Sequence, residues 1–267
     1  MTIGFLGAGK MAEAILSSVA QTGLCEPWEV VACDKSEERR DFIAKEYGAA
    51  VTDDALQTVK ICKVLVVAVK PQDTDALLAG IKGKLTERHL LVSIAAGKTL
   101  AALKKAAGNK PRLVRVMPNL ALTVQEGMSV YCAGKNAKPA DRKLVAQVFG
   151  GAGAVLELPE KHFDAVTALS GSGPAFVAYV AQAMIAAAAA LKLPKDAARL
   201  LAEQTLIGTG IYLQNTGRDI TAFIEAVCSP KGTTEAGMNV LKTSDVKAVF
   251  AETLKAAATR SAELSKA

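Results

Sequence analysis

Short β-branched runs, each followed by a helical stretch, fill the first 158 residues and leave few folds open. They are Thr2–Leu6, Val30–Cys33, Val64–Val69, Leu90–Ile94, Arg112–Val116, Met128–Cys132 and Ala154–Glu157. Apolar runs of this length separated by helices mean βαβ units, hence a parallel sheet covered on both faces. Between the first two runs, Lys10 to Thr22 reads as a helix that Gly23 can end, and Ser36 can cap the helix opening at Glu37.

From about His162 the strand signals stop. The rest is alanine-rich with helical spacing, broken at Gly173-Pro174, Leu193-Pro194, Asn215-Thr216-Gly217 and Ser229-Pro230-Lys231-Gly232. The expected organisation is two domains, 1–158 and 159–267, the second of four to six helices. Alanine lets helix axes approach closely but buries little area, so a domain of this kind has a thin core alone and favours burial against a second subunit. The most apolar stretch, Ala175 to Leu191, is nine-seventeenths alanine, which reads better as a helix packed on other helices than as a membrane span.

Composition excludes several functions. Apolar residues are 51% and charged residues 22% of the 267, which is a globular chain. The net charge of +6 is spread along the sequence and aromatics are only 4%, a poor footing for nucleic-acid binding. His89 and His162 are the only histidines, so a multi-histidine metal site is excluded and no metal is expected. Cys25, Cys33, Cys62, Cys132 and Cys228 form no C-x-x-C pair and fit reduced thiols in a cytoplasmic protein. The N-terminal segment reaches Gly7 too early for a secretory leader.

Gly7-Ala8-Gly9-Lys10-Met11-Ala12 is a G-x-G-x-x-A sequence directly after a strand and before a helix. Its first glycine permits the tight turn, its second lets backbone approach a pyrophosphate, and Ala12 permits close helix–strand packing. The first domain is therefore expected to be a Rossmann-type dinucleotide-binding domain. At the end of the second strand, Asp34 suits the ribose hydroxyls of NAD, whereas Lys35 and Ser36 suit the 2′-phosphate of NADP; a turn or capping role for Asp34 is the structural alternative. Lys70, in Val69-Lys70-Pro71-Gln72, is aimed at the cofactor crevice or is a solvated lysine. Ser93-Ile94-Ala95-Ala96-Gly97 and Arg115-Val116-Met117-Pro118-Asn119 end two later strands at the same edge. Asn119 could bond a carboxamide or fix its loop, and both readings stand.

Two second-domain segments are rich in glycine and hydroxyls: Asp164 to Phe176, containing Ser170-Gly171-Ser172-Gly173-Pro174, and Val227-Cys228-Ser229-Pro230-Lys231-Gly232-Thr233-Thr234-Glu235-Ala236-Gly237. Each could be a helix break with capping hydroxyls. In the second, Gly232-Thr233-Thr234 before a helix presents N–H groups suited to a carboxylate.

With these motifs in order along its length, the chain resembles the pyrroline-5-carboxylate reductases, which reduce a cyclic imine to proline with NAD(P)H. The last segment, similar to the family's V-x-S-P-G-G-T-T-x-x-G, is the most specific. The resemblance implies that Thr234 is the catalytic hydroxyl facing the ring nitrogen. It implies substrate contacts at Val227, Ser229, Gly232, Thr233 and Thr234. It implies cofactor contacts at Gly7, Ala8, Gly9, Lys10, Met11, Asp34, Lys35, Ser36, Asp54, Ala68, Val69, Lys70, Pro71, Ala95, Ala96 and Asn119. NADPH is expected to be slightly preferred over NADH. A homodimer through the helical domain is implied, with a decamer of five dimers as the larger form. Nucleic-acid and membrane partners are not expected. The chain departs from the family at Leu120-Ala121, where Thr-Pro is common, at Lys231, where glycine is usual, and at Asp54, where asparagine is frequent.

The chemistry separates rivals. A protonated imine accepts hydride without a general acid, so the protein must position two rings, hold a carboxylate and exclude water. A β-hydroxyacid dehydrogenase has a similar two-domain build but needs a base, a lysine early in its helical domain. Between Phe163 and Leu191 there is no lysine or arginine. A non-catalytic dinucleotide sensor would need the glycine turn but not the Ser229–Thr234 loop.

Overall fold

The computed structural model describes residues 1–266; residue 267, the last of the expected second domain, lies outside them. Among the described residues eight strands form one sheet in the order β3-β2-β1-β4-β5-β6-β7-β8. They are β1 (Ile3–Leu6), β2 (Val30–Cys33), β3 (Ala50–Thr52), β4 (Val64–Val67), β5 (Leu90–Ser93), β6 (Arg112–Met117), β7 (Gly127–Ala133) and β8 (Gly153–Glu157). The expected runs all form strands, and β3 is additional. Three residues long, half-exposed and at the sheet edge, β3 lacks the apolar run that marks the others.

From β3 to β6 the pairing is parallel, as β1 with β4 in the register Ile3 to Val64 and Leu6 to Val67. The expectation of a wholly parallel sheet is corrected at β7, which pairs antiparallel with β6. Only residues 118–126 join them, coiled in part into a 3-10 turn. That is too short for the crossover of a dozen or more residues that a parallel neighbour requires. β8 then runs parallel to β7.

Six helices cover the sheet: α1 (Lys10–Gln21), α2 (Glu37–Tyr47), α3 (Ala55–Ile61), α4 (Pro71–Ile81), α5 (Leu100–Ala107) and α6 (Pro139–Gly150). Gly23 takes the left-handed conformation just beyond α1, and the Ser36 hydroxyl accepts the Arg39 N–H at 3.3 Å to cap α2. Two apolar layers result. Phe5, Ile15, Val66 and Phe149 lie in the layer under α1 and α6; Leu6, Leu65, Leu78 and Leu103 lie under α3, α4 and α5. Central strands buried on both faces explain the near-continuous apolar runs. The Arg112 guanidinium meets Asp141 at 2.8 and 3.1 Å, tying β6 to α6.

Beyond the sheet come α7 (Phe163–Val166), a π-helical turn (Thr167–Gly171), α8 (Gly173–Ala190), α9 (Lys195–Thr216), α10 (Ile220–Val227), α11 (Thr233–Thr243) and α12 (Val246–Leu264). Two compact units emerge: Met1–Ser172 together with the chain from Lys255 onwards, and Gly173–Leu254. The first unit therefore includes α7, the π-turn and the end of α12. In it the Ser261 hydroxyl donates to Asp164 Oδ1 at 2.7 Å, and Arg115, almost fully buried, meets Glu160 at 3.0 Å and lies over the Phe163 ring.

The second unit is helical and nearly coreless. Among its described residues only Ala198 and Ala202 are buried, both on α9. Val177, Tyr179, Leu191, Leu200, Ile207 and Val240 are all more than half exposed. The expected burial of Ala175–Leu191 against neighbouring helices is thus not met within one chain, because alanine side chains are too small to close a layer on α9. The stretch Glu160–Ala190 is long and apolar enough to cross a membrane by length and composition.

Candidate active site

Because β3, β2, β1, β4, β5 and β6 run in one direction, their carboxyl ends share one edge. Every residue named for the cofactor follows one of those ends. Gly7 to Met11 follow β1, Asp34 to Ser36 follow β2, and Asp54 follows β3. Ala68 to Pro71 follow β4, Ala95 and Ala96 follow β5, and Asn119 follows β6. The strand order reverses across β1, where the crossovers leave on opposite sides and open a crevice at the carboxyl edge.

Within the glycine turn the two glycines have different reasons to be there. Gly7 has φ +101°, and a Cβ on it would stand 2.8 Å from the Ala68 carbonyl carbon and Val69 nitrogen. Backbone packing alone demands glycine at that position. Gly9 is the N-cap of α1 with ordinary dihedrals, φ −70° and ψ 179°, and an added Cβ would meet no protein atom within 4 Å. Neither conformation nor packing explains glycine there; an approaching anion at the helix N-terminus does. The turn therefore fits a dinucleotide pyrophosphate. Lys10 is exposed beside it, 3.4 Å from Glu13.

Asp34 is held on both carboxylate oxygens. Oδ2 accepts the Ala8 N–H at 2.7 Å, and Oδ1 accepts the Ser36 N–H at 2.9 Å. The turn role is realised, and it braces the glycine turn against β2. Arg39, to which the sequence reading gave no role, completes the brace. Its Nε–H donates to the Ala8 carbonyl at 2.8 Å, and its other nitrogen meets Glu13 at 2.7 Å. Arg40 donates to the carbonyls of Asp34 and Lys35 at 2.9 and 3.0 Å. Asp54 caps α3 by accepting the Leu56 N–H at 2.8 Å. Only charge at the start of α2 could have hinted at the arginines; the contacts of Arg39 are tertiary, while Arg40 reaches back five and six residues.

At the other strand ends, Lys70 is exposed and precedes Pro71, the first residue of α4. Ala95 is buried and Ala96 exposed. Of the two readings of Asn119, the loop-fixing one is observed. Its amide donates to the Ser170 carbonyl at 3.2 Å and accepts the Met128 N–H at 3.1 Å, holding the π-turn to the start of β7.

In the second unit, Ser229-Pro230-Lys231-Gly232 is a β-turn closed by the Gly232 N–H on the Ser229 carbonyl at 2.9 Å. Pro230 sits at its second position, and Lys231 at its third has φ +60°, where glycine is normally required. The Lys231 N–H donates to Glu235 at 2.7 Å. A Cβ on Gly232 would collide with the Ser229 hydroxyl, so this glycine has a packing reason. Gly232 is the N-cap of α11, leaving the first N–H groups of that helix, from Thr233 and Thr234, without intrahelical partners. Val227, Ser229 and Thr233 are exposed and Thr234 is half-buried.

Cys25, Cys33, Cys62 and Cys132 are buried. Burial pushes the thiols of Cys62 and Cys132 up to about 12, so they stay protonated and inert.

A mostly parallel sheet with a glycine turn at its reversal point, followed by helices, is the build of a two-part nicotinamide-dinucleotide oxidoreductase. A family profile described as pyrroline-5-carboxylate reductase dimerisation matches residues 160–264. Another, described as NADP oxidoreductase, coenzyme F420-dependent, matches residues 2–97. The pyrroline-5-carboxylate reductase of Methanosarcina acetivorans is 37% identical over 264 residues, covering 99% of this chain and 98% of its own. The structure of the Coxiella burnetii pyrroline-5-carboxylate reductase superposes with a TM-score of 0.95 at 32% identity, covering 100% of this chain and 99% of that one. That of the Plasmodium falciparum pyrroline carboxylate reductase, with NADP bound, gives 0.86 at 27% identity, covering 99% and 98%. The chain belongs to the pyrroline-5-carboxylate reductase family.

Proposed function

We propose that the protein reduces 1-pyrroline-5-carboxylate to proline, the last step of proline biosynthesis, with NAD(P)H. The observation that carries the substrate assignment is the turn at Ser229–Gly232 opening directly onto the N-terminus of α11. It leaves N–H donors and two threonine hydroxyls where a small carboxylate-bearing ring is best received.

The glycine turn, with Lys10, Met11, Ala68, Val69, Lys70, Pro71, Ala95 and Ala96, is the cofactor-holding surface. Gly9 and the N-terminus of α1 receive the pyrophosphate, and Asp34, Lys35 and Ser36 flank the adenosine end. Asp54 is kept as an outer contact there, and Asn119 shapes the opposite end. When bound, NAD(P)H supplies the hydride. Gly232 sets the entry to α11 so that the free N–H groups of Thr233 and Thr234 fix the substrate carboxylate, while Val227 and Ser229 shape its pocket. The Thr234 hydroxyl bonds the ring nitrogen as it becomes tetrahedral. No residue need deliver a proton to a nitrogen that is already protonated, in keeping with the lysine- and arginine-free stretch from Phe163 to Leu191. NADPH is modestly favoured because Lys35 is exposed beside Asp34, whose oxygens are already engaged by N–H groups.

Residues 1–158 carry the glycine turn and the strand ends that hold the cofactor, while 159–267 carry the substrate loop and the helices of the dimer. The near absence of a core in Gly173–Leu254 supports a homodimer through these helices, assembled further as five dimers, in the cytoplasm. The direct test is oxidation of NADPH and, separately, NADH on addition of pyrroline-5-carboxylate. Proline formation is expected with both, faster with NADPH. Tight dinucleotide binding with no turnover would replace the reductase by a sensor.

A further inference from the structure

We propose that the Ser170 hydroxyl hydrogen-bonds the carboxamide of the nicotinamide ring; this rests on the cofactor reading above and adds a residue to it. Among the described residues, Ser170 Oγ is the one buried side-chain nitrogen or oxygen with no hydrogen-bond partner. A buried hydroxyl left without a partner is costly, and its persistence calls for an explanation such as a ligand. The backbone around it is equally unusual. Thr167–Gly171 is a π-helical turn, closed by the Ser172 N–H on the Thr167 carbonyl at 2.8 Å. Such turns are rare and gather at functional sites.

Three contacts place this serine at the sheet edge where the cofactor residues collect. Asn119, just beyond the carboxyl end of β6, donates to the carbonyl of Ser170 itself. The other side of its amide is committed to Met128. Next in sequence, Gly171 lies so close to Met117, the last residue of β6, that a Cβ would stand 2.5 Å from the Met117 methyl. Asn119 thus acts as the clamp and Ser170 carries the free valence. A hydroxyl both donates and accepts, which matches a carboxamide carrying one C=O and one NH2.

The test is calorimetric titration of Ser170→Ala with two ligands, NADPH and 2′-phospho-ADP-ribose, which lacks the nicotinamide ring. NADPH affinity is expected to fall about 3- to 10-fold, the worth of one neutral hydrogen bond. Affinity for the truncated ligand should not change. The melting temperature of the ligand-free variant should be equal to or above that of the parent, since a partnerless hydroxyl has been deleted. Unchanged NADPH affinity, the result if only water meets Ser170, would overturn the proposal. So would an equal loss for both ligands, or a lower ligand-free melting temperature, each of which marks a structural role. If the unaltered protein binds neither ligand, the cofactor reading falls with it.

Discussion

Gly9 and Thr234 carry the two sharpest residue-level expectations. Since a Cβ at Gly9 meets no protein atom, Gly9→Val should fold normally and yet lose dinucleotide binding. Circular dichroism and calorimetry together check this, and a folded variant with ordinary affinity would remove the glycine from the pyrophosphate site. Thr234→Ala should lower kcat by about 10- to 100-fold, the range for a hydrogen bond to a group whose charge changes, while sparing NADPH affinity. Unchanged steady-state kinetics would exclude that hydroxyl from the reaction. Asp34, Asp54 and Asn119 show where residue-level legibility ends. Each was marked by its place after a strand, and the cap that Asp54 forms on Leu56 is local, but Asp34 meets Ala8 and Asn119 meets Ser170 across long stretches of chain, and no spacing rule encodes those two contacts.

Among the elements, the turn before α11 is where local preference and observed backbone disagree. Its third position holds a lysine at φ +60°, a conformation costing a non-glycine residue of order 1 kcal/mol or more. Lys231→Gly should therefore be neutral or stabilise the protein by up to about 1 kcal/mol, once the greater freedom of the unfolded glycine is counted. Thermal unfolding reads this, and a loss of more than that would mean the lysine side chain holds the turn. The strands were legible because central ones are apolar on both faces. The direction of β7 was not, since alternation of side chains is the same in either direction and only the short connection at 118–126 decides it. β3 escaped because an edge strand of three residues buries too little to leave a signal.

For the whole molecule, the second unit sets the terms of stability. With only Ala198 and Ala202 buried among its described residues, its apolar surface must be covered by a partner chain. The melting temperature should accordingly rise with protein concentration. A melting point independent of concentration across a range in which light scattering reports monomer would contradict the dimer. The buried thiols add a pH dependence. The Cys62 and Cys132 groups are raised from 9.0 to about 12 by burial, so above pH 9 the unfolded chain loses protons that the folded one keeps. Stability conferred by these groups is complete below about pH 9 and declines as pH rises towards 12. Denaturant midpoints across that interval measure the decline. Replacing both cysteines with alanine should flatten it, and an unaltered slope would assign it to other groups.

By itself the sequence determined seven of the sheet's eight described strands, the glycine turn, the change to helices near residue 160 and the family. All of these rest on residue type and local spacing, which act over a few bonds. Tertiary structure alone decided that Asp34 and Arg39 brace the glycine turn and that Asn119 clamps a π-turn. It also decided that Ser170 is left with a free hydroxyl. Those outcomes depend on which distant segments meet at the carboxyl edge of one sheet, a matter of packing and hydrogen-bond competition rather than of neighbouring residues.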